Sequence, residues 1–283
     1  MILIADSGST KTEWRLIDDN QKISQFSTIG FNPYFISPEK IILELKNNFL
    51  PQLPSKLFAS SLQLFFYGSG CSSEDKCNEI KSALQTVFSK ATIEVHHDLL
   101  GAARGACGHQ EGIAAILGTG SNSCHYSGSE ILENRTALGY ILGDEGSGSH
   151  IGKTFIKAYL DKELPSEIEK IFFERYHLTK EKIFDSVYSQ PMPNKFLASF
   201  AKFVFQNNQH IYCSNLVANC FEAFFDKHIC KYAVHKKVKL SCVGSVGFYN
   251  SNILRAVAQN KGVNIDRILE NPIAGLTLYH LEK

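Results

Sequence analysis

The sequence predicts an α/β protein of two lobes, each a mixed sheet flanked by helices, with a cleft between them. Three observations predict it. A chain of 283 residues exceeds a minimal domain and suits two modest lobes. Two segments then read as versions of one device: Ile2-Leu3-Ile4-Ala5-Asp6-Ser7-Gly8-Ser9-Thr10-Lys11-Thr12 and Ile113-Ala114-Ala115-Ile116-Leu117-Gly118-Thr119-Gly120-Ser121-Asn122-Ser123. Each is an apolar run that breaks into a Gly, Ser and Thr turn and resumes as a strand. The third observation is the element order of the first lobe, β-β-β-α-β-α-β-α.

Each element has a local reason. The first strand ends near Asp6, and Glu13 to Ile17 returns beside it. The polar turn Asp18-Asp19-Asn20 leads to a third strand, Ile23 to Ile29. A helix from Pro38 to Phe49 follows, with Ser37 as N-cap and Pro38 at the first helical position. Then come a strand (Leu62 to Tyr67), a helix (Glu74 to Phe88), a strand (Thr92 to His96) and a helix (Leu99 to Cys107). The second lobe opens the same way, with strands at Gly112 to Leu117, Ser123 to Tyr126 and Ile131 to Ala137. Gly-rich turns lead to a long helix from about Gly148. Residues 166–233 are largely helical by the spacing of Ile168, Ile171, Phe172 and Tyr176 and of later apolar residues. A buried strand, Val238 to Val243, and a helix, Asn252 to Asn260, complete the pattern. The expected lobes are residues 1–110 and 111–267, with a C-terminal helix over 268–283 packing back on the first.

Composition narrows the function. Hydrophobic residues at 44% and charged residues at 20% are ordinary globular values. A net charge of +1 argues against nucleic-acid binding, which shows as a basic excess. No stretch approaches the ~20 apolar residues of a membrane span. The start lacks a basic segment and its apolar run is too short for a signal peptide. These readings predict a soluble, cytoplasmic protein with no membrane or nucleic-acid partner. The eight cysteines, among them Cys71, Cys77, Cys124 and Cys220, show no C-x-x-C pair and no zinc spacing, so they read as reduced thiols.

The turns suit phosphate. Glycine lets backbone approach a ligand closely, and successive N–H groups and hydroxyls form an anion-binding concavity. Asp6, at the mouth of the first turn, reads either as a turn cap or as a carboxylate holding hydrated magnesium beside phosphate. Thr10 and Lys11 would face the phosphates. Asp98, at the end of a buried strand, reads either as the N-cap of the next helix or as a base for an attacking hydroxyl. His96 and His97 face opposite sides of their strand and cannot easily share one ion, which favours structural roles. Asp144 and Glu145 lie in a flexible polar turn before a helix. Gly152-Lys153-Thr154 ends like a P-loop, but Ser147 stands where the first Gly is needed, which rejects a Walker ATPase. Val243-Gly244-Ser245-Val246-Gly247 follows a strand and could pass close to an adenosine.

Together these segments resemble the acetate and sugar kinase, Hsp70 and actin superfamily. Within it the chain resembles the BadF/BadG/BcrA/BcrD ATPase family, in its N-acetylglucosamine kinase-like branch. The resemblance covers nearly the whole chain and implies a two-lobed actin-like ATPase (ribonuclease H-like) fold. It implies ATP and Mg²⁺ as cofactors, with Gly8, Ser9, Thr10, Lys11, Gly118, Thr119 and Gly120 at the phosphates. Gly244 and Ser245 would lie near the nucleotide, and Asp6 would hold magnesium through water. It implies Asp98 as the general base and Asn32, Asn122, Gly139 and Asp144 as residues holding an amino sugar, N-acetylglucosamine being the best single guess. Family members are commonly homodimers. Ser7 and Ser9 stand where the family commonly has Gly, and Leu138 and Tyr140 flank Gly139 where vertebrate kinases have Trp and His. The family's namesakes offer a second reading, an ATPase activator of a 2-hydroxyacyl-CoA dehydratase or benzoyl-CoA reductase. Such proteins hold an iron–sulfur cluster through Cys near the second phosphate turn, where this chain has Cys124. A third reading is a silent sugar-sensing module.

Overall fold

Alternation within buried strands decides how each sheet must be covered. In the computed structural model, which describes residues 1–55, 57 and 61–282, the chain divides into two compact units. One comprises Met1–Gln110, Gly128–Glu130 and the segment from Pro272; the other comprises Glu111–Ser127 and Ile131–Asn271.

In the first unit β1 (Ile2–Ser7), β2 (Lys11–Ile17) and β3 (Ile23–Ile29) form an antiparallel meander. After α1 (Pro38–Glu44) come β4 (Gln63–Gly68), α2 (Glu74–Val87), β5 (Thr92–His97) and α3 (Asp98–Cys107). The sheet order is β3-β2-β1-β4-β5, with β1, β4 and β5 parallel. Leu3, Ala5, Leu64 and Phe66 point into one core with Trp14, Phe31 and Phe49. Ile4, Phe65 and Tyr67 point to the other face, which α3 covers in part, with Gly101 against Tyr67, and α13 (Ile273–Leu281) covers with Ile273 and Leu276. Two glycines let α13 approach α3: a Cβ on Gly275 would run into the Gly105 carbonyl. The expected helix over Pro38 to Phe49 changes type at Leu45. A π-helical turn, Leu45–Phe49, lays Phe49 on Trp14 with ring centroids 4.4 Å apart.

The second unit repeats the plan. Strands β6 (Gly112–Leu117), β7 (Ser121–Tyr126) and β8 (Ile131–Arg135) form its meander. The helices are α4 (Gly139–Leu142), α5 (Gly148–Leu160), α6 (Ser166–Tyr176), α7 (Lys180–Tyr188), α8 (Pro193–Ser199), α9 (Ala201–Gln206) and α10 (Ile211–Lys227). Then follow β9 (Leu240–Val243), α11 (Ser245–Tyr249), α12 (Ser251–Asn260) and β10 (Ile265–Leu269). The order β8-β7-β6-β9-β10 repeats that of the first sheet strand for strand. The sequence reading missed β10, an edge strand pairing only with β9, whose Asp266 and Arg267 break the apolar signal. The segment 268–271 therefore stays with the second unit, and the return to the first begins at Pro272. The P-loop-like Gly152-Lys153-Thr154 lies inside α5, where a Cβ on Gly152 would strike the Leu197 carbonyl of α8, so this glycine serves helix packing. His228, just after α10, is buried and bonds Glu145. Among the described residues, no helix is long and apolar enough to cross a membrane.

Candidate functional site

The first turn is built by β1 and β2 diverging after Ser7. The Gly8 N–H donates to the Lys11 carbonyl at 2.9 Å, closing the loop. Ser7 is buried beneath it, 2.8 Å from the Thr12 hydroxyl, and accepts from the Phe31 N–H. Ser7 therefore supports the turn and offers nothing to a ligand. Gly30 is equally structural: a Cβ there would run into the backbone of Gly8, Ser9 and Thr10. Gly8 and Thr10 remain exposed. Lys11 Nζ pairs with Glu13 at 2.7 Å. Asn32 is buried, its side-chain amide donating to Ser9 Oγ at 2.8 Å while its oxygen accepts from the Tyr34 N–H. Asn32 thus braces the turn on which Ser9 stands.

Asp6 lies one residue before the end of β1, and Asp98 begins α3, directly after β5. The carboxyl ends of parallel strands are where α/β sheets bind ligands. Burial, then the charges of Asp98 and Glu13, push Asp6 up to about 7. The expected alternative for Asp98, a helix N-cap, does not hold. His97 is the N-cap, its Nδ1 accepting from the Leu99 N–H at 3.0 Å, and Asp98 is the first helical residue. Its carboxylate is free of capping duty, with its Oδ1 2.8 Å from His97 Nδ1. His96 faces the other way and stacks on Tyr67. Both histidines are structural neighbours of the site, and neither pairs with the other.

In the second unit the Gly118 N–H donates to the Gly120 carbonyl at 3.0 Å. The start of α5 holds this turn from below: the Gly148 and Ser149 N–H groups donate to the carbonyls of Gly118 and Thr119 at 2.8 and 3.0 Å. Asp144 sits against it in a left-handed conformation, φ 60°. Its carboxylate accepts from the Ser121 N–H at 3.3 Å and from Ser149 Oγ at 3.5 Å. A Cβ on Gly120 would come within 3.0 Å of it. Burial raises the Asp144 carboxyl above its usual range, against the lowering by those bonds and by Lys153. Glu145 turns away to His228 Nε2, 3.1 Å distant. Asn122 lies within β7, not in the turn, and its side-chain oxygen accepts from the Ser123 N–H and Asn134 Nδ2. Gly139 opens α4 with φ 74° and open space around it.

A cavity of about 530 Å³ lies against this second turn, within the range of small-molecule sites. Gly118, Thr119 and Gly148 form one wall, and Ser245, Val246 and Tyr249 another. Gly244 makes the second wall possible with φ 122° and a backbone pressed on the Leu117 carbonyl, where no other residue fits. The third wall comes from α8 and α9: Ala198, Ala201, Lys202, Phe205 and Gln206. Phe200 and Phe203 are core, but Phe205 lines the cavity. Helical spacing alone does not separate them.

Two five-stranded sheets of one topology, each with a Gly/Ser/Thr turn after its first strand, make this an actin-like ATPase fold. No protein-family profile matches the chain, and no curated protein does either. Solved structures do. A putative N-acetylglucosamine kinase of Porphyromonas gingivalis is 39% identical over 100% of this chain and 99% of its own, with a TM-score of 0.93. One from Chromobacterium violaceum shares the fold at 17% identity, TM-score 0.74, over 98% of each chain. The chain belongs to the same family as the Porphyromonas gingivalis protein.

Proposed function

We propose that the protein transfers the γ-phosphoryl group of ATP to an amino sugar, N-acetylglucosamine, at its 6-hydroxyl, with Asp98 as general base. The observation that carries this reading is the carboxylate pair of the first unit. Asp98 stands at a strand end, relieved of capping by His97, while Asp6 is held near 7 by burial and by the Asp98 charge. The name of the 39%-identical relative supports the substrate class.

In this reading Thr10 and Thr119 bind ATP phosphates through hydroxyls and turn N–H groups. Gly244, Ser245 and the cavity walls receive the nucleoside. Asn32, Asn122, Gly139 and Asp144 face the hexosamine, Asp144 being braced from Ser121 and Ser149. Asp98 takes the hydroxyl proton as the sugar oxygen bonds to the γ-phosphorus and ADP departs. Two mutually repelling carboxylates fit a divalent cation, and Asp6 would hold magnesium through water. Bound magnesium supplies neutralisation of charge on the phosphates.

The activator reading is less well supported. Cys124, its candidate cluster ligand, is fully buried within β7. A coupled ADP-release assay over N-acetylglucosamine, glucosamine, N-acetylmuramic acid and glucose tests the proposal. Turnover should be fastest with N-acetylglucosamine, with phosphorus NMR placing the phosphate on O6. ATP binding with no ADP release from any amino sugar would sink it.

A further inference from the structure

We infer that Glu145 and His228 form a clamp that positions Asp144 and thereby sets the affinity for the sugar. This rests on the proposed reading of Asp144 as a sugar-holding residue. Neither Glu145 nor His228 touches substrate in it; both are positioning residues that act through the backbone of the turn.

The turn over residues 143–146 is one that a free chain would not keep. Asp144 has φ 60° and Gly146 φ 75°. The left-handed region disfavours a residue with a Cβ, so Asp144 stays there only because its surroundings hold it. Its own side-chain bonds are weak holds. The Ser121 N–H and Ser149 Oγ lie 3.3 and 3.5 Å from its carboxylate, outside the roughly 2.7–3.2 Å of a good hydrogen bond. Such long bonds leave the carboxylate with capacity to accept from sugar hydroxyls, but they do not fix the backbone.

The end of α10 does. Phe224 is fully buried, and a Cβ on Gly146 would come within 2.7 Å of the Phe224 Cβ, so the turn lies flat on the helix there. One helical turn further on, His228 is 7% exposed, and its Nε2 is 3.1 Å from Glu145 Oε2. Burial alone would raise the Glu145 carboxyl, but its backbone N–H and the His228 hydrogen bond hold it below its usual range. A carboxylate only accepts, so Nε2 carries the hydrogen. His228 Nδ1 finds no partner among the described residues. Burying an imidazole with one nitrogen unpaired costs stability that an apolar side chain would not. The bond to Glu145 is what the histidine adds at this position.

Other ties to this segment come from α5. Lys153 Nζ donates to the Tyr140 carbonyl at 2.6 Å, and His150 Nδ1 accepts from the Gly146 N–H at 3.1 Å. Both grip main chain on either side of Asp144. The Glu145–His228 bond alone ties the residue next to Asp144, through its side chain, to the end of α10. Without it, the peptide between Asp144 and Glu145 can rotate towards the right-handed region, which turns the Asp144 carboxylate away from the second phosphate turn.

The test is a double-mutant cycle of Glu145→Ala and His228→Phe, with His228→Gln as the conservative variant, whose side-chain N–H can still donate to a carboxylate. KM values for N-acetylglucosamine and for Mg·ATP are measured by ADP release. Each single change should raise the sugar KM by about tenfold, as loss of a hydrogen bond to a charged group does, and leave the ATP KM within about threefold. The double variant should be no worse than the worse single one, because both remove the same bond. His228→Gln should recover most of the parent sugar KM. A pair that serves stability alone would lower the folded fraction, and so the apparent kcat, and leave the sugar KM unmoved. That result overturns the inference, as does an additive double variant. Glu145 is partly exposed, so Glu145→Ala decides the matter even where His228→Phe does not fold. Asp144→Asn separates the clamp from the reading beneath it. A parent sugar KM in Asp144→Asn would overturn Asp144 as a sugar ligand; a raised one there, with a parent value in Glu145→Ala, would overturn the clamp alone.

Discussion

Replacing Asp6 with Asn should stabilise the first unit at neutral and alkaline pH while removing its function. The carboxyl rises from 3.8 to about 7 on folding, through burial first and then the charges of Asp98 and Glu13. The folded protein therefore holds this proton more tightly than the unfolded chain. Its stabilising contribution is complete below about pH 4 and is lost as pH rises through about 7. A shift of about three pH units corresponds to at most about 4 kcal/mol, at about 1.4 kcal/mol per unit. Roughly 2 kcal/mol of that falls between pH 5 and pH 8, since Asp6 keeps part of its surface open. Asn has nearly the same shape and does not ionise, so the stability difference between variant and parent should widen by that amount across the interval. Trp14 is the sole tryptophan and is fully buried on β2 opposite Ala5, so its fluorescence in urea reports on this unit. An equal difference at pH 5 and pH 8 would refute the account of Asp6 as a strained carboxylate kept for binding.

Further outcomes are expected elsewhere. Asp98→Asn should keep ATP affinity and lose transfer by about 10²- to 10⁴-fold, measured as ADP release against ATP titration; transfer at the parent rate would remove Asp98 as base. Gly244→Ala places a side chain against the Leu117 carbonyl at a glycine-only φ of 122°, and should weaken ATP binding by about tenfold or more in calorimetry. Phe205→Ala should raise the KM for ATP and leave the sugar KM unchanged, since its ring lines the cavity in the second unit. Gly152→Ala should lower stability by about 1–3 kcal/mol in thermal unfolding, because α5 and α8 touch there through backbone.

Both turns and the three-strand opening shared by the two lobes were legible in the sequence because they are local. An apolar run ending in Gly, Ser and Thr says where a strand stops. The meander Ile2 to Ile29 follows from turn chemistry at Asp18-Asp19-Asn20, and the structure has β3 over the expected residues. The π-helical turn at Leu45–Phe49 was not legible, since the contact it makes, Phe49 on Trp14, joins residues distant in sequence. Nor was β10, whose identity as a strand depends on β9 lying beside it.

The chain by itself therefore determined most of the element types, the two phosphate-type turns and the aspartates near them. Those depend on periodicity, glycine spacing and residue chemistry within a few positions. Only the tertiary structure decided what each side chain is free to do. It tied Asn32 to Ser9, set Asp144 against the second turn, and brought Phe205 out of the core to line a cavity. It also passed the capping of α3 from Asp98 to His97. Hydrogen-bond partners and burial are set by which elements meet, and a linear sequence does not specify that meeting.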